Sequence, residues 1–342
     1  MRSTLVRSLL IRAFLIPAVL VLLGSVAARA EPAVRVAALK FGTVNWVLET
    51  IKQRKLDKKH KVQLVVIPLA STNGAKIALQ GGSADIVVTD WTFVSRRRAA
   101  GADFTMVPYS SAVGHLMVAA DSPIKTIEDL RGKTIGVVGG PLDKSWLFFR
   151  AYTLKKYGFD IAEYITPVYG APPLLTQKMM RGEFDGVLNF WHFSARLRAQ
   201  GFRSLISVGD MMNGLGTAGP TVAIGFAFRE SWAKRQERAL KGFLAAVKEA
   251  VRLLDQSDDI WDDIRPLMNA KDEASFLALK ATFREGILRR PLVVEQADVT
   301  QLFQILLEFG GASLVGSQTK LTPGTFWLLG DISQPVALEK VN

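Results

Sequence analysis

The chain has 342 residues, a formal net charge of +12, three histidines and no cysteine. The missing cysteine excludes disulfides, cysteine-ligated zinc, a cysteine nucleophile and the lipidated cysteine of a bacterial lipoprotein. Three scattered histidines offer no transition-metal set, so no metal and no other cofactor is expected. The length suffices for two domains with cores of their own.

Arg2, Arg7 and Arg12 precede an apolar run from Ala13 to Leu23, and Ala28-Arg29-Ala30 then sets two small residues ahead of Glu31-Pro32. A basic region, a short apolar core and an A-x-A site read as a secretory signal peptide over 1–30. The run is too short to cross about 30 Å of hydrocarbon. An exported, soluble protein in the periplasm of a Gram-negative cell is therefore expected. No later stretch has the length of apolar sequence that a membrane span needs. Four of the positive charges belong to the leader. The surplus that remains suits solubility, an anionic ligand, a lipid surface or a membrane partner, and in an exported chain nucleic acid is not an expected partner. The densest basic run, Lys52 to Lys61, reads as a solvated helix end and turn.

Strands alternate with helices through the first two thirds, which predicts an α/β fold with mostly parallel sheets. Val34–Leu39 is a strand ended by Phe41-Gly42, and Val44–Lys55 a helix. Val62–Pro68 is a strand, Ala75–Gln80 a short helix closed by Gly81-Gly82, Asp85–Thr89 an apolar strand, and Trp91–Ala100 its helix. Met106-Val107 opens a fourth strand. Thr126-Ile-Glu-Asp129 has capping-box spacing. Thr134–Val138 is a strand, Pro141 suits the start of a helix over Leu142–Tyr157, and about Glu163–Tyr169 is a further strand. Val222–Phe228 is the last strand. Helices follow over Ser231–Gln256, with one apolar face, then 258–268, 272–285, 297–309 and Pro323–Leu329.

The chain repeats itself at an offset of 100 residues. Laying 82–101 on 182–201 without a gap pairs Gly82, Asp85, Val87, Trp91, Phe93, Arg96, Arg98, Ala99 and Gly101 with identical residues. Shared turn requirements account for the glycines. They do not account for tryptophans in register, so two copies of one supersecondary unit are expected. The offset extends to strand 34–39 against 134–138 and strand 62–68 against about 163–169.

Ser122-Pro-Ile-Lys-Thr-Ile-Glu-Asp-Leu-Arg-Gly-Lys-Thr-Ile-Gly-Val137 resembles the start of the second lobe of periplasmic solute-binding proteins, and Gly82-Ser-Ala-Asp85-Ile-Val-Val resembles their third strand. The chain is most similar to the nitrate/sulfonate/taurine group, the NMT1/THI5-like family. That resemblance implies a type II periplasmic binding fold. Its two βαβ-type lobes, with mixed and mostly parallel sheets, are joined by two crossing strands, here near His115–Ala120 and Val222–Phe228. Lobe 1 is then 33–117 with 223–342, and lobe 2 is 118–222. The implied partners are a small-molecule ligand and the permease and ATPase of an ABC importer, with the binding protein a monomer. The pyrimidine-synthase relatives need a cysteine-rich motif that this chain lacks, so that activity does not carry over. The rival reading keeps the same fold as an accessory to an exported enzyme.

In open α/β sheets ligands lie beyond the carboxyl ends of the strands. Those ends supply the candidate ligand-binding residues: Phe41, Gly42, Trp46, Thr72, Asn73, Thr89, Asp90 and Trp91 in lobe 1, and Gly139, Gly140, Lys144, Asn189, Trp191 and His192 in lobe 2. Ser110, Ser111 and Thr221 join them from the connections. No catalytic residue is assigned. Trp91 and Trp191 face each other across the cleft or pack as core. Helix starts near 43–46, 72–75 and 141–145 suit an anion, Asp90 favours a cation or a donor, and Lys144 the reverse. His115 and His192 are the histidines nearest the cleft. Gly214-Leu-Gly216-Thr-Ala-Gly219 fits G-x-G-x-x-G but precedes a strand, so it reads as a flexible hinge loop and not a dinucleotide site.

Overall fold

The structure, a computed structural model, describes residues 31–327. The expected signal peptide lies outside the described residues, as does the end of the helix expected over 323–329. β1 (Ala33–Leu39) pairs in parallel with β2 (Gln63–Leu69) and β3 (Ile86–Asp90). β10 (Ile224–Arg229) runs antiparallel between β3 and β4 (Phe104–Ser110), giving the order β2-β1-β3-β10-β4. The second sheet repeats this plan. β6 (Thr134–Val138) lies between β7 (Thr166–Gly170) and β8 (Gly186–Asn189), and β5 (His115–Val118) runs antiparallel between β8 and β9 (Arg203–Ser207). Each sheet thus has four strands in one direction and borrows its antiparallel strand from across the molecule. Central strands such as β3, β6 and β8 are mostly apolar and buried because helices cover both faces.

The repeat at 100 residues is structural. α1 (Val44–Gln53), α3 (Thr72–Gly81) and α4 (Trp91–Ala99) correspond to α5 (Lys144–Tyr157), α6 (Pro172–Met180) and α7 (Trp191–Ala199), several of them starting in register. The identities have physical causes. Asp85 accepts the backbone N–H of Arg35 at 2.9 Å, and Asp185 accepts that of Thr134 at 2.8 Å, so each carboxylate ties two strands together. Gly101 and Gly201 both have φ +87°, a conformation that a β-carbon disfavours.

Several boundaries move. The helix expected over 44–55 ends at Gln53. Lys55 turns left-handed (φ 52°), and α2 (Leu56–Lys59) then returns Leu56 to the core. The basic run here is paired, with Arg54 on Asp263 at 2.5 Å and Lys59 and His60 both on Glu249. α3 starts at Thr72 because the Ser71 hydroxyl caps it, accepting the N–H of Gly74. Pro141 lies in the turn before α5, and Asp143 is the cap. Residues 128–130 form only a single 3₁₀ turn, although Asp129 does accept the N–H groups of Lys125 and Thr126. The segment 323–327 is a turn in place of the expected helix, with Phe326 bridging Met106 of β4.

The last third is helical: α9 (Glu230–Arg235), α10 (Glu237–Gln256), α11 (Asp259–Met268), α12 (Glu273–Glu285) and α13 (Leu292–Val315). α9 and α10 are separate because Gln236 leaves helical geometry, and Trp232 packs on Phe228 apart from the stripe Leu240, Phe243, Val247, Val251 and Leu254. α13 begins five residues earlier than expected and kinks at Gly311. Its Val299, Leu302, Phe303 and Leu306 enter one hydrophobic core with Val87 and Trp91 of the first half and Trp146 and Phe149 of the second. No described helix is long and apolar enough to cross a membrane.

Candidate functional site

A cavity of about 390 Å³ opens where the carboxyl ends of the two sheets meet. Helix starts from both halves border it: Thr43 and Val44 at α1, Thr72 at α3, Asp143 to Ser145 at α5 and Phe190 to His192 at α7. The crossing segments Ala112–Gly114 and Val222–Ile224 complete the wall, with Met212 of α8 (Val208–Gly214) and Leu302 of α13.

Of the expected site residues, the cavity brings together Gly42, Thr72, Thr89, Asp90, Trp91, Lys144, Trp191 and His192. The others stand elsewhere. Trp46 is buried against Trp191, Trp261 and Phe283, at centroid distances of 5.8, 6.0 and 5.8 Å. It supports Trp191 from behind and does not line the space. Phe41 is 90% exposed, with the Lys40 ammonium over its ring. Asn73 is exposed on α3. The Ser110 and Ser111 hydroxyls both donate to the carbonyl of Gly286. Gly139 and Gly140 form the turn before α5 and do not line the cavity. Asn189 is buried and donates to the Pro172 carbonyl and the Thr176 hydroxyl. The Thr221 hydroxyl donates to Gly219 and Asp298.

Trp91 and Trp191 each serve core and cavity. Trp91 Nε1 donates to the carbonyl of Val222 at 3.1 Å, fixing the second crossing segment. The loop 214–219 is correspondingly not loose. Ala218 donates its N–H to Asp298 and Arg290 donates to the carbonyl of Pro220, so side chains at and before α13 hold it.

The polar part of the cavity is a charge triad. Asp90 caps α4, accepting the N–H of Phe93 and the Thr92 hydroxyl. Lys76 of α3 and Lys144 of α5 each place an ammonium 3.6 Å from one of its oxygens. Burial alone would favour the neutral acid, but Lys144, Lys76 and these hydrogen bonds outweigh it and hold the Asp90 carboxyl far below the usual range. Asp143 behaves oppositely. Burial pushes its carboxyl up despite Lys144 and the Ser145 N–H it caps.

Sequence reasoning missed Lys76 and Phe190, and it named the helix starts near 43–46 and 141–145 without singling out Thr43 and Asp143. The internal repeat held the signal for three of them, since Thr43 and Asp143 occupy equivalent positions before α1 and α5, and Phe190 is the equivalent of Asp90.

Burial, then the nearby Arg196, lowers the His192 pKa to about 3. Burial, then Arg198, lowers that of His115 to about 4. Both imidazoles are neutral in the fold and protonate more readily once unfolded, at about 6.5. Their stabilisation is complete above that value and is lost as pH falls, at most about 1.4 kcal/mol per pH unit for each. Urea melts of H115N/H192Q should therefore show a shallower loss of stability between pH 6.5 and 4.5 than the wild type. Parallel pH profiles would refute the assignment.

Residues 58–256, more than half of the chain, match the NMT1/THI5-like family model. The chain belongs to the NMT1/THI5-like family. No curated protein is significantly similar to this family member in sequence. Among solved structures, the periplasmic aliphatic sulphonate binding protein SsuA from Escherichia coli superposes with a TM-score of 0.68 at 22% identity, over 91% of this chain and 94% of that one. The alkanesulfonate-binding protein SsuA from Xanthomonas axonopodis pv. citri, bound to MOPS, gives 0.62 at 20%, over 87% and 99%. The desulfurization enzyme DSZB gives 0.59 at 13%, over 86% and 97%. At these identities the likeness is one of fold, and that fold serves binding proteins and an enzyme alike.

Proposed function

We propose that this NMT1/THI5-like protein is the periplasmic substrate-binding component of an ABC importer. It acts as a monomer that captures a small organic solute of the sulfonate type and delivers it to a permease and its ATPase. The two lobes expected from the sequence close on the solute by a hinged motion about the crossings. The observation that carries this reading is the shared cavity. It lies between two copies of one unit, has mainly apolar walls, is bordered by helix starts from both, and holds two ammonium groups around Asp90. Such an arrangement suits an anionic head with an apolar body. The likeness to sulfonate-binding proteins supports it.

Binding without chemistry is favoured by how the cavity acids are used. Asp90 is committed to a helix cap and two lysines, and Asp143 to another cap.

Native mass spectrometry of the protein purified from the periplasm, before and after denaturation, tests the reading. A released mass of a small organic acid is expected. Failure to release any mass, together with no thermal stabilisation by a panel of sulfonates, would count against solute capture. A ligand at 100 times its Kd should add about 2.7 kcal/mol.

A further inference from the structure

We propose that Asp90 sets the charge the cavity accepts, so that the solute's acidic group is a monoanion and dianions such as phosphate monoesters are rejected. The inference rests on the binding-protein reading above and deepens it.

The two lysines that face Asp90 come from opposite halves, Lys76 on α3 after β2 and Lys144 on α5 after β6. Each ammonium stands 3.6 Å from the carboxylate, beyond hydrogen-bonding distance, and both remain partly accessible at 22% and 32%. Their N–H groups are thus free to turn to an incoming anion without first breaking a short hydrogen bond to Asp90. Asp90 itself stays. Its Oδ1 accepts the Phe93 N–H as the cap of α4 and takes the Thr92 hydroxyl. Two fixed positive charges and one fixed negative charge leave room for a single negative charge. A second would go unbalanced beside apolar walls that include Trp91, Phe148 and Trp191, where an uncompensated charge is costly. Asp143, the other acid lining the cavity, can only lower that allowance when it is ionised, so one negative charge is the ceiling.

The test compares two probes with one tail, hexanesulfonate and hexyl phosphate, at pH 8, where the phosphate monoester carries close to two charges. Calorimetric affinities are measured for the wild type, D90N and K144Q. Asparagine caps helices as well as aspartate does, so D90N keeps the start of α4. Circular dichroism and melting temperature check that it does.

The wild type should bind the sulfonate about tenfold or more tightly than the phosphate, and D90N should narrow or reverse that ratio by about the same factor. K144Q should widen it. An equal affinity of the wild type for both probes, or a ratio that D90N leaves unchanged, overturns the proposal. So does a wild type that binds neither probe. In that last case the mass-spectrometric result separates the two failures. A released solute, or stabilisation by another sulfonate of the panel, leaves the binding-protein reading standing while the charge rule falls. With neither result, both readings fall.

Discussion

Gly114→Ala should destabilise the protein by about 4 kcal/mol or more, at the far end of what single substitutions do. Gly114 ends the first crossing, just before β5, and lines the cavity. A β-carbon there would overlap the carbonyl oxygen of Asn189 and stand 2.8 Å from its carbonyl carbon and 3.2 Å from Cα of Phe190. These are backbone atoms, and they cannot step aside. Asn189 is held by its own side chain on Pro172 and Thr176, and its carbonyl oxygen accepts the Ser194 hydroxyl. Gly114 is fixed as well, since its carbonyl accepts the N–H of Val208 at 2.9 Å. The matched control is Gly140→Ala, where a β-carbon meets nothing within 4 Å. Thermal melts should place G140A with the wild type and G114A about 10 °C lower, or insoluble. Coincident melts for the two variants would show that the crossing is not packed as described.

The fold was legible because its signals are local and repeated. Strand 134–138 and helix starts such as Trp91 and Trp191 follow directly from apolar runs bounded by glycine and from the offset of 100 residues. What failed to be legible depends on distant partners. Lys55 breaks a helix because Leu56 has a core to enter, and the segment after Pro323 turns instead of continuing as a helix because β4 supplies a bridge at Met106. The site divides in the same way. Asp90, Lys144 and both tryptophans sit at strand ends or helix starts, which pattern alone locates. Lys76 lies a turn into α3, and its relevance comes only from the meeting of the two halves at Asp90. Trp46 looked equivalent to the other tryptophans, but its place in the first turn of α1 puts it behind Trp191.

The second large effect concerns Arg290, which should cost about 3–5 kcal/mol when replaced by methionine. Its guanidinium donates to Glu295 at 2.9 Å, to Asp298 at 2.7 Å and to the Pro220 carbonyl at 2.9 Å. The two acids then hold the second crossing. Glu295 accepts the N–H of Val222 at 2.7 Å, and Asp298 accepts that of Ala218. Glu295 is fully buried, so removing Arg290 leaves a carboxylate with no counter-ion in the interior. Burial already pushes the Glu295 carboxyl up, against the Val222 N–H and Arg290. Losing the arginine raises it further. A folded-state pKa above the unfolded one gives stability that is present at low pH and lost as pH rises, so the R290M deficit should be smaller at pH 5 than at pH 7.5. Adding E295Q to R290M should recover part of the loss, because the amide still accepts the Val222 N–H and carries no charge. A double-mutant cycle by urea denaturation measures this, with a coupling of about 1–3 kcal/mol expected. Strictly additive losses, or a deficit that does not change with pH, would mean that Arg290 acts by packing alone. The same bonds matter for binding. Val222 is held at its N–H by Glu295 and at its carbonyl by Trp91, and it lines the cavity. Loosening α13 at Arg290 therefore loosens the cavity wall, and R290M should lose ligand affinity in proportion to what E295Q restores.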